Sequence, residues 1–317
     1  MPIKLCFVGY GAIAQVHARM FGEEGATLDA VVGRLPQEIE RFAAEYGFTY
    51  HTTDLQAALA RPEIDAVVIA SPSELHYEQA RQALLAGKHA LVEIPLAMSY
   101  AEGAELVELA RRQGRKLMVA HSQRFNPVLA GLKQRVASGS LHLYHLVCRY
   151  GFLRRENVGW TGRRRSWTDN VLWHHGCHVV DYSLWLLAAT RVDVLGQAGP
   201  RYPDTGTVMD VDILMRTPAG QLASLSLSYH NRLKADEYLL IGEEETVFYQ
   251  QGKLYGPEGL REDPAALGHD LSDVAWRAQD REFLAALRED REPTVSGADA
   301  LPALEVLQQV QDRYMPH

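Results

Sequence analysis

A glycine-rich turn near the start of the chain constrains its fold more than any other feature. The apolar run Ile3–Val8 leads directly into the hexapeptide GYGAIA, which fits G-x-G-x-x-A and opens a helix-like pattern. Gly9 permits a tight turn, Gly11 lets a phosphate approach the backbone, and Ala14 lets the helix pack closely on the strand. A helix N-terminus then offers free amide groups and a positive dipole end to a pyrophosphate. Because strand, turn and helix follow in the required order, the pattern predicts a dinucleotide site that includes Gly9, Gly11, Ala12, Ile13 and Ala14.

The residues that follow the second predicted strand, Leu28–Val32, indicate which dinucleotide is bound. A site for NAD places an acidic residue roughly 20 residues after the glycine turn, where it binds the ribose hydroxyls. This chain has Gly33 and Arg34 there instead. A small residue leaves room for a 2′-phosphate and an arginine can pair with it, so NADP is the favoured cofactor and NAD the alternative. Arg34 as a solvated surface charge is the other interpretation.

Up to about residue 122, short apolar runs alternate with amphipathic stretches such as Glu74–Ala86 and Tyr100–Arg112. Strands that alternate with helices are typical of a parallel sheet covered on both faces. Glycines stand where helix C-terminal caps belong, at positions 87 and 114. The predicted strands are Ile3–Val8, Leu28–Val32, Ala66–Ala70, His89–Glu93 and Lys116–Ala120.

After Pro127 the pattern changes from alternating elements to a run of strands. A helix over Val128–Val136 precedes a long strand, Leu141–Leu153, and from Val192 to Tyr255 successive strands alternate apolar and polar residues. Such alternation is typical of an antiparallel sheet with one face open to solvent or to a partner.

We therefore predict an α/β protein with two domains. Residues 1–122 form a doubly wound parallel sheet of the Rossmann type, and residues 123–317 form an α+β domain with a large open, mostly antiparallel sheet. Helical patterns at Asp273–Arg288 and Ala300–Arg313 close the chain and can pack back on the first domain.

Composition excludes several classes of protein. Lys and Arg total 32 against 40 Asp and Glu, a net charge of −8, which argues against a general nucleic-acid binder. Three cysteines without metal-ligand spacing indicate a reducing compartment and no disulfide framework. No apolar run approaches the roughly 18 residues of a membrane span. We expect a cytoplasmic enzyme that binds neither nucleic acid nor membrane.

In the second predicted domain, a helix pattern at about 171–188 contains three histidines and an aspartate. His174, His178 and Asp181 share one face because they are four and three residues apart, and His175 lies beside them. A neutral imidazole accepts a proton near neutral pH, so this group is a candidate catalytic site. Core histidines with satisfied hydrogen bonds are one alternative. Metal ligands are another, although His175 replaces the glutamate of H-E-x-x-H, and we predict no metal.

Arginines flank the loop before this helix. They include Arg154, Arg155, Arg163, Arg164 and Arg165, with Trp167 in the same loop. Such a run is often a solvated face. In an acidic protein it can also form a local trap for anions, since arginine binds carboxylates in a bidentate manner. Arg124 has the same potential.

Several short motifs occur along the chain in the same order as in one family of oxidoreductases. SPSELH at 71–76, AGKHALVEIP at 86–95 and RFNP at 124–127 resemble the Gfo/Idh/MocA oxidoreductases, which include glucose–fructose oxidoreductase and inositol dehydrogenase. The resemblance implies a Rossmann domain, a C-terminal α/β domain, and a homodimer or homotetramer formed through the open sheet. It also implies nucleotide contacts from Ser71, Pro72, His76, Glu93, Ile94 and Pro95.

Two positions depart from the family pattern. Most members have E-K-P where this chain has Glu93-Ile94-Pro95, and the lysine helps to move the proton of the reacting hydroxyl. Most also have an aspartate four residues before the site histidine, where this chain has His174 before His178. Since isoleucine cannot carry a proton, the base lies elsewhere or the protein is not a catalyst.

Within the family, three segments are most similar to semialdehyde dehydrogenases of aromatic-compound degradation, and the similarity weakens over residues 229–243. The segments are VEIPL at 92–96, RSWTDNVLWHH at 165–175 and QDREFLAALREDREP at 279–293. The resemblance implies that NADP oxidises the cyclic hemiacetal of a carboxylated 2-hydroxymuconate semialdehyde to a pyrone dicarboxylate lactone. His178 would accept the hydroxyl proton, tuned by His174 and Asp181, while Arg124, Arg164 and Arg165 bind the carboxylates of this small anionic substrate. Another sugar or cyclitol dehydrogenase of the family and a non-catalytic nucleotide-binding regulator are the alternatives.

Overall fold

The computed structural model describes residues 2–158, 170–268 and 270–315. These residues divide into two compact units. The first contains residues 2–121, residue 158 and residues 276–301, and the second contains residues 122–157, 170–275 apart from 269, and 302–315.

The first unit alternates strands and helices. Its strands are β1 (Lys4–Val8), β2 (Thr27–Val32), β3 (Tyr50–Thr52), β4 (Ala66–Ile69), β5 (His89–Val92) and β6 (Leu117–Val119). The helices between them are α1 (Ala12–Glu23), α2 (Pro36–Tyr46), α3 (Leu55–Leu59), α4 (His76–Leu85) and α5 (Tyr100–Gln113).

All six strands of the first unit pair in parallel, in the order β3-β2-β1-β4-β5-β6. The central strands are buried on both faces, which explains why they read as continuous apolar runs rather than as alternating ones. The order reverses between β1 and β4. In a doubly wound sheet, a dinucleotide binds at the carboxyl ends of the strands at this reversal.

The second unit is built on a sheet of eight strands. They are β7 (Leu143–Gly151), β8 (Asp193–Ala198), β9 (Asp210–Arg216), β10 (Leu222–Ser228), β11 (Ala235–Gly242), β12 (Thr246–Gln250), β13 (Lys253–Gly256) and β14 (Gly259–Glu262). The other α-helices in the described ranges are α6 (Pro127–Ala137), α7 (Cys177–Leu186), α8 (Leu271–Arg288) and α9 (Gly297–Tyr314).

The two faces of the eight-stranded sheet differ in character. The strand order is β14-β13-β12-β11-β7-β10-β9-β8, and only the central pair β7–β10 is parallel. On the inner face, Tyr238 of β11 packs edge-on against Tyr182 of α7, with ring centroids 4.9 Å apart. On the outer face, Leu195 and Leu214 are cross-strand neighbours whose side chains are 63% and 51% exposed. The helices therefore cover one face of this sheet in this unit, and the other presents apolar side chains at the surface.

The predicted fold class is confirmed: a parallel doubly wound sheet and a separate, mostly antiparallel sheet. Gly87 and Gly114 both have positive φ angles after their helices, as their cap positions predict. The sequence patterns did not predict β3, because three residues are too few to show alternation. Of the helices in the described ranges, none is long and apolar enough to cross a membrane.

Candidate active site

The glycine turn has the geometry that phosphate binding requires. Gly9 has φ +111°, and a Cβ atom there would lie 2.4 Å from the carbonyl oxygen of Ala70 on the neighbouring strand. A Cβ at Gly11 would meet nothing within 4 Å, and Gly11 begins α1 without a side-chain cap. Ala12 and Ala14 are buried, and Ile13 is partly exposed. The open space above Gly11, at the N-terminus of a 12-residue helix, therefore fits a dinucleotide pyrophosphate.

The end of β2 differs in one respect from the sequence interpretation. A Cβ atom at Gly33 would lie 2.2 Å from the Tyr10 ring and 2.3 Å from the Ile39 side chain. The space over Gly33 is therefore filled by these two side chains, so the glycine is needed for their packing. Arg34 is exposed and has no hydrogen bond or ion pair within the described ranges. Its guanidinium can therefore pair with a 2′-phosphate, which stays a prediction.

The loops after β4 and β5 are joined by His76, which is 1% exposed. Its Nδ1 lies 2.8 Å from the carbonyl oxygen of Pro95, and its Nε2 lies 2.9 Å from that of Ser71. The Ser71 hydroxyl donates to Gln79 at 2.5 Å. His76 thus positions Ser71, Pro72 and Pro95 through the backbone. Ile94 is 7% exposed, so the position where the family has lysine is occupied by a buried apolar side chain.

A buried charged group that sequence reasoning missed lies beside this turn. His17 of α1 is completely buried between two carboxylates: its Nδ1 lies 2.8 Å from Oδ2 of Asp280 and its Nε2 lies 2.8 Å from Oε1 of Glu93. Burial lowers the pKa of His17, but the charges and hydrogen bonds of Asp280 and Glu93 outweigh it and raise the pKa to about 10. His17 is therefore an imidazolium that holds Glu93 in place. The signal in the sequence was a histidine on the helix that follows the glycine turn.

The histidines of the second unit stand on an irregular helix. Residues Leu172–Gly176 form a π-helical turn that continues directly into α7, and π-turns are frequent at functional sites. This turn brings the rings of His174 and His175 together, with their centroids 4.2 Å apart. A helix is therefore present where the sequence predicted one, though it begins on a wider turn than an α-helix, and the shared face of His174, His178 and Asp181 stays a prediction.

His175 is the most deeply buried of the three histidines on this helix. Its Nδ1 lies 2.6 Å from the hydroxyl oxygen of Tyr229, and its ring stacks on Tyr150 of the inner sheet face at 4.9 Å. Burial lowers the pKa of His175 well below its usual range, and the nearby charges of His174, His178 and Arg154 lower it further. His175 is therefore neutral at physiological pH. We call His174, His175 and His178, together with Arg154 and Tyr229, the histidine cluster.

Arg124 and Asp181 form a buried ion pair. Nε and Nη2 of Arg124 donate to the two carboxylate oxygens of Asp181 at 2.9 and 2.6 Å, and the guanidinium lies 5.6 Å from the Trp185 ring centroid. Burial raises the pKa of Asp181 above its usual range, although the charge and hydrogen bonds of Arg124 oppose the shift. The charge of His178 also lowers the pKa of Asp181, so the two side chains are electrostatically coupled. The predicted role of Arg124 in substrate binding stays a prediction, and both of these donors already serve Asp181.

Asp236 on β11 is a second residue that the sequence did not single out. It lies opposite Tyr150 in the antiparallel ladder, and it shares the inner face with Tyr238 because the two are two residues apart. Its Oδ1 atom is buried and has no hydrogen-bond partner within the described ranges. Burial raises the pKa of Asp236 to about 6, while Lys234 lowers it and Glu237 raises it. A buried carboxylate oxygen without a hydrogen-bond partner is uncommon, because it lowers the stability of the folded protein. Asp236 therefore places a destabilising polar group at this end of the inner face.

Part of the predicted site lies outside the described residues. Arg164, Arg165 and Trp167 belong to the segment 159–169, as does Arg163. Over the ranges that the structure describes, no three His, Cys, Asp or Glu side chains are placed to hold a metal ion.

Comparisons with known proteins cover nearly the whole chain. Residues 3–121 match the family model GFO_IDH_MocA, described as an oxidoreductase family with an NAD-binding Rossmann fold, and residues 127–259 match the model for the C-terminal domain of bacterial oxidoreductases. The chain is 33% identical to 4-carboxy-2-hydroxymuconate-6-semialdehyde dehydrogenase of Sphingobium sp. (strain NBRC 103272 / SYK-6), over 96% of each chain.

More distant relatives also match this chain over nearly its whole length. The chain is 24% identical to inositol 2-dehydrogenase of Rhizobium meliloti (strain 1021), over 96% of this chain and 94% of the relative. Among solved structures, levoglucosan dehydrogenase in complex with NADH and levoglucosan superimposes with a TM-score of 0.87 at 19% identity, covering 98% of this chain and 97% of that one. At that identity the likeness concerns the fold alone.

Proposed function

Because the chain belongs to the Gfo/Idh/MocA family of oxidoreductases, we propose that it oxidises a hydroxyl group of a small carboxylated substrate with NADP. The substrate class proposed is the cyclic hemiacetal of a carboxylated 2-hydroxymuconate semialdehyde, and the product is a pyrone dicarboxylate lactone. The observation that carries this proposal is the histidine cluster, in which Arg154 bonds to His174 and to the Tyr229 hydroxyl, and His175 bonds to the same hydroxyl. Such a group can supply both a proton acceptor and a cation for a carboxylate.

The reaction removes a hydride and a proton from the hemiacetal. A bound NADP⁺, held by the residues around Gly11 and Arg34, would supply the acceptor for the hydride that leaves the carbon carrying the hydroxyl group. The hydroxyl proton passes to a side chain, and the C–O bond becomes the carbonyl of the lactone. Ile94 cannot accept that proton, so we assign the role to the partly buried imidazole of His178.

The residues of the first unit fit the cofactor. Amides at the start of α1, above Gly11, would hold the pyrophosphate, and Arg34 would pair with the 2′-phosphate of NADP. The imidazolium of His17 holds Glu93 against α1 and thereby orders the turn that carries Ile94.

Steady-state kinetics test the proposal. Reduction of NADP⁺ and NAD⁺ is followed at 340 nm with the muconate semialdehyde, myo-inositol and glucose as substrates. We expect the highest kcat/KM with the carboxylated semialdehyde and NADP⁺. A higher value with myo-inositol would favour a cyclitol dehydrogenase, the second candidate supported by the inositol 2-dehydrogenase relative.

The role of His178 is tested by His178→Asn. A positioned base contributes about 10²–10⁴-fold, so kcat should fall by that order while NADP⁺ binding stays unchanged. His142→Asn is the matched control, because His142 is an exposed histidine of the same unit that pairs with Glu244. Near-normal turnover in His178→Asn would place the base elsewhere.

We also propose that a second copy of this chain packs on the outer face of the large sheet. The support is the row of cross-strand neighbours Leu195, Leu214, Ser224 and Val147, with Leu239 beyond, which is largely apolar and continues across the strands. In a dimer with a twofold axis the same patch of each copy packs on the other, so one apolar face can supply both sides of the interface. Leu214→Glu should convert the oligomer to monomers in sedimentation experiments, and an unchanged mass would contradict this interface.

A further inference from the structure

The protonation state of one imidazole in the histidine cluster follows from its partner. Nη1 of Arg154 lies 3.2 Å from Nδ1 of His174. A guanidinium has five N–H donors and no acceptor, and it stays charged in proteins. The hydrogen bond therefore runs from Arg154 to His174, and Nδ1 of His174 carries no proton.

The same guanidinium also contacts two buried residues, Tyr229 and Asn157. Nη1 also donates to the hydroxyl oxygen of Tyr229 at 3.1 Å, Nη2 donates to Oδ1 of Asn157, and the guanidinium carbon lies 5.2 Å from the Tyr229 ring centroid. Tyr229 is completely buried and Asn157 is 4% exposed. Because these anchors are buried, the direction of the Arg154 fork is determined by the protein and not by solvent.

We propose that Arg154 is a positioning residue that fixes His174 as the neutral Nε2–H tautomer, so that His174 donates a hydrogen bond to the substrate and does not accept its proton. This assignment deepens the proposed function and rests on it for the substrate role. A neutral imidazole with its proton on Nε2 is a donor at that atom, and its only lone pair, on Nδ1, is used by Arg154. An N–H donor beside a guanidinium fits a carboxylate or a carbonyl oxygen of the substrate.

The proposal divides the roles within the cluster. His175 is neutral and engaged with Tyr229, and His174 is a donor, so His178 is the member assigned to accept a proton. A lysine at position 154 would not reproduce the arrangement, because an ammonium group lacks the planar fork that reaches Tyr229, Asn157 and His174 together.

Nitrogen-15 NMR of histidine-labelled protein tests the tautomer directly, without any substrate. The signals of His174 are assigned by their loss in His174→Asn. In the wild type at pH 7.5 we expect the resonance of Nδ1 at the position of an unprotonated nitrogen and that of Nε2 at the position of a protonated one. Arg154→Gln should give a mixture of tautomers. The matched control is Arg261→Gln, since Arg261 is an arginine on β14 of the same unit and pairs with Glu245 and Glu258. It should leave the His174 signals unchanged.

Kinetics add the second readout. A hydrogen bond that involves a charged group corresponds to about 10- to 100-fold, so Arg154→Gln should lower kcat/KM for the best substrate by that factor, and Arg154→Lys should not restore it. Arg261→Gln should stay within about threefold of the wild type. A protonated Nδ1 in the wild type, or an unchanged tautomer in a folded Arg154→Gln, would overturn the proposal. Absence of turnover by the wild type would instead contradict the proposed function and leave the NMR result to decide the tautomer.

Discussion

Replacing His17 by leucine tests whether a buried imidazolium holds the first unit together. His17 lies between Asp280 and Glu93, and its pKa of about 10 is 3.5 units above the ordinary value of 6.5. At 1.36 kcal/mol per unit, this shift corresponds to about 5 kcal/mol of preference for the charged form. Burial also raises the pKa of Asp280 despite the imidazolium, which offsets part of that gain.

His17→Leu leaves the Asp280 carboxylate buried without its cation. Breaking a buried pair in this way costs about 3–5 kcal/mol, so we expect a loss of that size at pH 7. Replacing both residues removes both charges, and Glu93 keeps 16% of its side chain exposed to water. The double variant His17→Leu/Asp280→Leu should therefore regain most of the loss.

The pH dependence has a defined sign. A histidine whose pKa is raised on folding contributes its full stabilisation below the unfolded value of 6.5 and loses it as the pH rises towards 10. Wild-type stability should thus decline between these two values, and His17→Leu should lack that decline.

Amide hydrogen exchange measures the effect, because a chain of two units does not meet the two-state condition for urea unfolding. Opening free energies at β1 and β5 report on the first unit, and those at β10 serve as the internal control. A loss below about 1 kcal/mol in His17→Leu, together with an unchanged pH dependence, would refute the charged state of His17.

Three further predictions concern single side chains. Arg34→Ala should weaken NADP⁺ binding by about 1.5–3 kcal/mol and leave NAD⁺ binding nearly unchanged in calorimetry, and equal wild-type affinities for the two cofactors would contradict it. Ile94→Val should cost about 0.5–1.5 kcal/mol of stability, whereas Ile94→Lys should lower affinity for the cationic oxidised cofactor, and a gain in turnover from the lysine would refute our assignment of the base. Asp236→Asn should raise stability at pH 7 by at most about 3 kcal/mol, because a carboxyl whose pKa rises from 3.8 to about 6 on folding destabilises the protein increasingly as the pH rises through that interval; equal stability of variant and wild type in hydrogen exchange at β11 would contradict it.

The predicted elements were most accurate where a local pattern is strong. The helix predicted over Tyr100–Arg112 is observed at Tyr100–Gln113, with Gly114 in the left-handed conformation after it. The strand predicted over Leu141–Leu153 is shorter, Leu143–Gly151, because apolar periodicity does not mark where hydrogen bonding to a neighbouring strand stops. The histidine helix begins with a π-turn, a feature that depends on how its side chains pack and that no residue pattern announced.

The sequence by itself determined the local chemistry of this protein. The steric demands of Gly9 and Ala14, the alternation of the sheet residues and the spacing of His174 and His178 all act over a few neighbouring residues, so they could be recognised in the printed order. Tertiary structure alone decided which charges meet. His17 and Asp280 are 263 residues apart, and Arg124 and Asp181 are 57 apart. Whether an imidazole is charged depends on burial and on such distant partners, and neither is encoded in the residues beside it.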